Sequence, residues 1–231
     1  MTSGEFADAT IVFDLDGTLV DTAPDLVRAL NETMDLEGLP RVPQTMVRRM
    51  VGQGARVLIE RAAGLANVQF ASERLDQLTK AFVDFYRADI ARESKPFPGV
   101  EAALDTLAAA GAKLAVCTNK RTDLSQQLLD ELKLSERFSI IVGADAVEHR
   151  KPHPDHYRAA VTRAGGIVRR SLMVGDTAAD VGAARAAGAP VAVVRFGYCE
   201  EENCERLGAD AIIDRYSELP PTCRRLLAAT R

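Results

Sequence analysis

The sequence predicts an α/β fold: a doubly wound parallel sheet, Rossmann-like in its core, with an inserted helical cap domain. Three observations lead there. After residue 96, short β-branched runs alternate with alanine-rich helical stretches. A run of the same kind, Thr10–Phe13, stands alone near the start. Between them, from about residue 23 to 95, helical periodicity continues with no strand-like run. Strand–helix units of this length imply parallel pairing, because each crossover helix returns the chain to the same edge.

Thr10-Ile11-Val12-Phe13 reads as a buried strand, since an apolar run without alternation has both faces covered. Thr22-Ala23-Pro24-Asp25 reads as a helix start, with Thr22 as cap and proline in the first turn. Helical stretches follow around Leu26–Met34, Met46–Met50, Arg56–Ala63 and Leu75–Ile90, and the chain returns to the core near Lys95–Pro98. Pro98-Gly99 opens a helix that runs to Ala110 and ends at Gly111. Strands are then expected at 113–117, 139–142, 171–174, 191–194 and 211–213, with helices at about 124–132, 154–164 and 178–187. The expected domains are a core of 1–22 and 96–231 and a helical cap of 23–95.

Composition narrows the function. A chain of 231 residues, 47% hydrophobic, can bury a full core and an inserted domain. A net charge of −4, with no basic run, argues against a nucleic-acid partner. No stretch has the apolar length to span a bilayer, and the first residues lack a secretory signal, so a cytoplasmic location is expected. The four cysteines are not spaced as a zinc ribbon, and His149, His153 and His156 read as surface or turn residues.

In open parallel sheets ligands bind beyond the carboxyl ends of the strands, which makes the residues after each strand the ones to read. The first strand ends in Asp14-Leu15-Asp16-Gly17-Thr18. Two acids closing a buried strand must be paired, protonated or bound to a metal. The arrangement suits phosphoryl transfer, with one carboxylate as nucleophile and the other as acid/base beside a divalent cation. Thr118-Asn119 follows the second strand, and its hydroxyl and backbone N–H groups could hold phosphoryl oxygens. After the third, Pro152 and Pro154 stiffen a loop that could hold Lys151 pointing inward. After the fourth, Asp176 is placed to complete a divalent site and Asp180 to buttress it. Each alone fits a turn, a helix cap or a solvated side chain. Their arrival at one sheet edge indicates a catalytic site.

In this order, Asp14-Leu15-Asp16-Gly17-Thr18, Thr118-Asn119-Lys120, Lys151-Pro152 and Gly175-Asp176-Thr177-Ala178-Ala179-Asp180 resemble the motifs of the haloacid dehalogenase-like superfamily of aspartate-nucleophile hydrolases. The resemblance covers nearly the whole chain, and Thr177, where serine is frequent, is a mild departure. It implies that Asp14 attacks phosphorus in line, while Asp16 protonates the leaving oxygen and later activates water. It implies further that Thr118 and Lys151 balance the transferring charge. Mg²⁺ would be held by Asp14, the Asp16 backbone carbonyl and Asp176, with Asp180 in support. Dehalogenases and phosphonate hydrolases of the superfamily do not use an acid in this way at the Asp16 position, so phosphate ester chemistry is expected.

The resemblance places substrate choice in the cap. Gly52-Gln53-Gly54-Ala55-Arg56 reads as a loop into a helix whose backbone could approach a small anion, or as a plain helix–helix turn. Arg56 is a candidate for a substrate carboxylate or a helix-surface arginine. With Thr118-Asn119-Lys120, residues 149–155 and Arg195-Phe196-Gly197-Tyr198, this loop resembles family members acting on 2-phosphoglycolate. Other sugar-phosphate phosphatases, a pyrophosphatase and a β-phosphoglucomutase-like mutase share the core motifs and stay open. A non-catalytic regulatory protein on this fold is the remote alternative, because the nucleophile and metal acids are all present. The expected partner is a small phosphorylated metabolite, with the chain a monomer or homodimer.

Overall fold

The computed structural model of the chain describes residues 4–199 and 204–229. It opens with β1 (Thr10–Phe13) and the short β2 (Val20–Asp21). The helices α1 (Ala23–Asp35), α2 (Gln44–Arg48), α3 (Ala55–Leu65) and α4 (Ser72–Ala88) follow, and β3 (Lys95–Pro96) closes this segment. Alternation then begins with α5 (Val100–Ala109), β4 (Lys113–Cys117), α6 (Thr122–Glu131), β5 (Ile140–Val142) and α7 (Pro154–Arg163). It ends with β6 (Ser171–Gly175), α8 (Ala178–Ala187), β7 (Val191–Val194), β8 (Ala211–Ile213) and α9 (Leu219–Ala229).

The main sheet has the order β5-β4-β1-β6-β7-β8, and every pairing in it is parallel. Its strands alternate faces with period two. Ile11 and Phe13 enter one apolar cluster with residues of α5, α6 and α9, whereas Val12 enters the other with residues of α7 and α8. Both faces are therefore dry, which is why the strands read as continuous apolar runs. Register matters most for the site. Phe13 lies opposite Val116 on one side and Val174 on the other, so β1, β4 and β6 finish at nearly one level. Asp14, Thr118 and Asp176 leave the sheet along the same edge.

The helical segment sits where periodicity predicts it, with α4 packed against α1 and α3. The sequence reading missed β2 and β3. Val20 pairs with Pro96 and Asp21 with Lys95, antiparallel, so the entry and exit of the segment lie side by side. A two-residue ladder has no periodicity to read. Buried Asp25 fastens the exit: its Oδ2 accepts from the Glu93 and Ser94 backbone N–H groups and the Ser94 hydroxyl at 3.0, 2.8 and 2.6 Å. One expectation is corrected. Thr22 occupies the cap position of α1 but makes no capping bond, because its hydroxyl donates to Asp16 Oδ1 at 2.7 Å instead.

Candidate active site

At the end of β1 the Asp14 carboxylate is 5% exposed, and the Leu15 backbone N–H donates to its Oδ1. The Lys151 ammonium lies 2.9 Å from the same oxygen and 2.6 Å from Asp180 Oδ1. Asp180 divides its two oxygens between separate tasks. Oδ1 holds the lysine, while Oδ2 accepts from the Asp176 and Thr177 backbone N–H groups and the Thr177 hydroxyl. This is the capping box that starts α8, so a feature of local helix chemistry also fixes the edge where the acids gather. Asp176 accepts from the Thr18 hydroxyl on Oδ1 and from the Tyr198 backbone N–H on Oδ2, both at 2.8 Å. One oxygen each from Asp14, Asp176 and Asp180 lies within 4.8 Å of the others. Such closeness depends on Gly17, at φ +80°, where a Cβ would stand 2.4 Å from Asp176 Oδ2.

Burial pushes the Asp14 carboxyl up to about 7, with Lys151 opposing and the Asp180 charge adding to the rise. Burial likewise raises Asp176, reinforced by Asp180 and Asp14. For Lys151 burial acts in the opposite direction, but the Asp14 and Asp180 carboxylates outweigh it and keep the ammonium charged. Crowded around one lysine, Asp14 and Asp176 thus favour their neutral forms until a further cation joins them.

His156 secures the loop that presents Lys151. Its Nδ1 accepts from the Lys151 backbone N–H at 3.2 Å, which leaves Nε2 to donate to the Val142 carbonyl at 3.0 Å. Burial, then the Lys151 charge, lowers its pKa from 6.5 to about 4. Protonation would set an N–H against an N–H. A depressed histidine takes up its proton first in the unfolded chain, so its contribution is present above pH 6.5 and lost as pH falls toward 4. We expect about 3 kcal/mol of stability to be lost across that window from this residue. Comparing denaturant midpoints of wild type and His156→Gln at several pH values checks this: the variant should show the shallower acid dependence, and parallel curves would refute it.

Asp16 faces a different way. Its carboxylate takes the Lys120 ammonium at 2.8 and 3.0 Å and the Thr22 hydroxyl at 2.7 Å. Beside it lies a cavity of about 90 Å³. Asp14, Asp16, Thr118 and Asn119 line it from the core, and Leu26, Leu58, Phe82 and Tyr86 from the helical segment. Asn119 joins the two sides, its Nδ2 donating to the Gly52 carbonyl at 2.9 Å and the Lys151 carbonyl at 3.1 Å.

The residues expected at the site do not all arrive there. Asp14, Asp16, Thr118, Asn119, Gly52 and Gly54 line the cavity, and Lys151, Asp176 and Asp180 cluster around Asp14. Gln53 does not line it, since its side chain accepts from Arg61. Arg56 lies on the outer side of α3, 40% exposed, paired with Asp76 and bonded to Ser72. The helix start that carries Gly54 to the cavity rotates Arg56 off it. The structure corrects the histidine reading for His156, which is fully buried on α7 rather than at a surface or turn. His149 and His153 are exposed as expected and gather with Asp155 in their loop.

Three residues given no individual role by the sequence gain one from the fold. Lys120 stands within a motif without a task of its own, and the lysine count alone could not single it out. Tyr86 supplies cavity wall from α4 and looks in sequence like any core aromatic. Tyr198 ties its backbone to Asp176 and its hydroxyl to Asp21 and the Ala23 N–H, linking the acid cluster to the entry of the helical segment.

Carboxylates gathered with a lysine at one sheet edge define an enzyme site suited to transferring an anionic group. Residues 11–194 match the haloacid dehalogenase-like hydrolase family, and the chain belongs to it. The phosphoglycolate phosphatase of Caulobacter vibrioides is 50% identical over 221 residues, covering 96% of this chain and 93% of that protein. That of Agrobacterium fabrum is 44% identical over 210 residues, covering 91% and 90%. The crystal structure of a predicted phosphoglycolate phosphatase from Haemophilus somnus 129PT superimposes with a TM-score of 0.87 at 29% identity, covering 94% of this chain and 98% of that one. Among the described residues, no helix is long and apolar enough to cross a membrane.

Proposed function

We propose that this hydrolase is a Mg²⁺-dependent phosphatase that cleaves a small phosphomonoester, 2-phosphoglycolate, through an aspartyl-phosphate intermediate. The observation that carries the chemistry is the buried Asp14 carboxylate, held 2.9 Å from Lys151 at the edge where Asp176 also emerges. The named relatives support the substrate.

Asp14 attacks phosphorus, and protonated Asp16 gives its proton to the departing ester oxygen. Asp16, now a carboxylate, takes a proton from the water that attacks the aspartyl-phosphate. Phosphate leaves and Asp14 is regenerated. Lys151 draws charge from the phosphoryl oxygens while remaining fixed by Asp180. The Thr118 hydroxyl, on a residue 1% exposed, donates to one of those oxygens.

The acid cluster fits a hard divalent cation. Its donors are carboxylate oxygens without thiolate or imidazole, and the three buried acids outnumber the single lysine. Asp14 and Asp176 would hold Mg²⁺ with the Asp16 backbone carbonyl, and Asp180 would support them by fixing the loop. Bound there, the ion supplies charge neutralisation for the phosphoryl group.

Residues 23–95 act as the cap over this site, with the Asn119–Gly52 bond drawing it down. A cavity of about 90 Å³ is well under the range of roughly 300–1,000 Å³ typical for larger ligands, which favours a leaving group of few atoms. The test is phosphate release across 2-phosphoglycolate, hexose and pentose phosphates, pyrophosphate and β-glucose 1-phosphate. Expected are the highest kcat/KM for 2-phosphoglycolate, loss of activity with a chelator and its return with Mg²⁺. Preference for a larger sugar phosphate would remove the substrate assignment alone. Activity that survives chelation would remove the metal.

A further inference from the structure

Lys120 holds an unusual position for a lysine. Its side chain is 6% exposed, and its ammonium bonds both Asp16 oxygens and lies 4.5 Å from the centre of the Tyr86 ring. It lines the cavity together with Asp14 and Asp16, against the apolar walls of Leu26, Leu58 and Phe82. The other cations near the cavity are placed differently, and Arg150, whose guanidinium approaches Gly54, does not line it. Arg121, which also lines it, is paired with Asp123, Arg56 with Asp76, and Lys151 with Asp14 and Asp180.

We propose that Lys120 reads a carboxylate on the leaving group of the substrate, exchanging Asp16 for it when substrate binds. This rests on the phosphatase reading above, in which Asp16 serves the ester oxygen. In a glycolate leaving group one methylene separates that oxygen from the carboxylate. A cation within 3.0 Å of the acid that protonates the oxygen therefore stands within reach of the carboxylate. An anion entering walls of leucine and phenylalanine needs such a partner, since an unpaired charge there is strongly disfavoured. The ammonium remains paired throughout, first by Asp16 and then by substrate, while the Tyr86 ring stays against it.

The exchange has a second consequence. A carboxylated substrate releases Asp16 from Lys120, whereas a neutral one of the same size leaves Asp16 engaged. Discrimination should therefore reach kcat as well as KM. Lys120 is in this sense a specificity-determining residue, and its effect is distinct from that of Lys151 behind it.

The experiment compares wild type, Lys120→Met and Lys120→Arg on 2-phosphoglycolate, 2-hydroxyethyl phosphate and pyrophosphate, with circular dichroism to confirm folding. Loss of the Lys120–Asp16 pair acts on all substrates, so the ratio between charged and neutral substrates isolates the carboxylate. In Lys120→Met, kcat/KM for 2-phosphoglycolate should fall about 10²–10³-fold relative to 2-hydroxyethyl phosphate, with arginine restoring part of the preference. Equal losses on every substrate, with wild type still preferring 2-phosphoglycolate, would overturn the role of Lys120 and keep the substrate. Unchanged ratios would overturn it as well. A wild type preferring pyrophosphate, with that preference lost in Lys120→Met, would sink glycolate and keep Lys120 as an anion reader. No preference for charged substrates in wild type would overturn both.

Discussion

Asp14→Asn should lower phosphate release by about 10⁴-fold or more while leaving the protein folded. The amide is nearly the shape of the carboxylate, so the packing around β1 is kept. It lacks the anionic oxygen that attacks phosphorus in the proposed mechanism, and no neighbour is placed to substitute. Asp176 is tied to Thr18 and Tyr198, Asp180 to Lys151 and the Thr177 loop, and Asp16 faces the cavity from the other side. Burial already disfavours the Asp14 charge, raising its pKa to about 7, so neutralising it does not remove a large stabilising term. Steady-state phosphate release and a thermal melt test both halves. Activity of the Asp14→Asn variant within tenfold of wild type would show that Asp14 is not the nucleophile.

The second large effect falls on stability. Lys151→Met should destabilise the metal-free protein by about 3–5 kcal/mol, because it leaves buried carboxylates without their cation. Asp14, Asp176 and Asp180 are 5%, 0% and 0% exposed, so water cannot take over the role of the ammonium. For a chain of this size the loss corresponds to a melting temperature lower by about 6–20 °C. Methionine fills most of the volume, which separates the charge effect from a cavity. Adding Asp180→Asn to the variant should recover part of the loss, giving a coupling that a double-mutant cycle reads directly. A change below about 1 kcal/mol in a denaturant titration would mean that the acids relax into protonated, hydrogen-bonded forms without cost. Under the proposed mechanism activity should fall as well, since Lys151 faces Asp14.

These two residues were readable in the sequence for different reasons. Asp14 follows an apolar run that can only be a strand, and its position beyond the strand end is a property of local sequence. Lys151 depends on a loop that continues through Pro152 and Pro154, which says that the loop is stiff but not where it points. What directs it inward is Asp180 across the sheet edge, together with His156 holding its backbone. Arg56 shows the same limit from the other side. A glycine-rich loop before a helix correctly brings Gly52 and Gly54 to the cavity, yet one turn of helix rotates the arginine away to Asp76. Likewise, the hydroxyl of Thr22 can accept from the free N–H groups of a helix start or donate to a carboxylate. Only folding decided for Asp16.

By itself, then, the sequence determined the alternating parallel architecture, the helical segment within it, and the acids, hydroxyl and lysine that leave its strand ends. Those follow from burial and chain connectivity, which act through neighbours a few residues apart. Tertiary structure decided which side chains share a hydrogen bond across long separations. It set Asp16 against Lys120 rather than against the Asp14 cluster, and Tyr86 above that lysine from a helix 34 residues earlier. It also put Tyr198 between Asp176 and the entry of the helical segment. Such choices turn on ångström-scale register and rotamer competition among several adequate partners, and no local pattern carries that information.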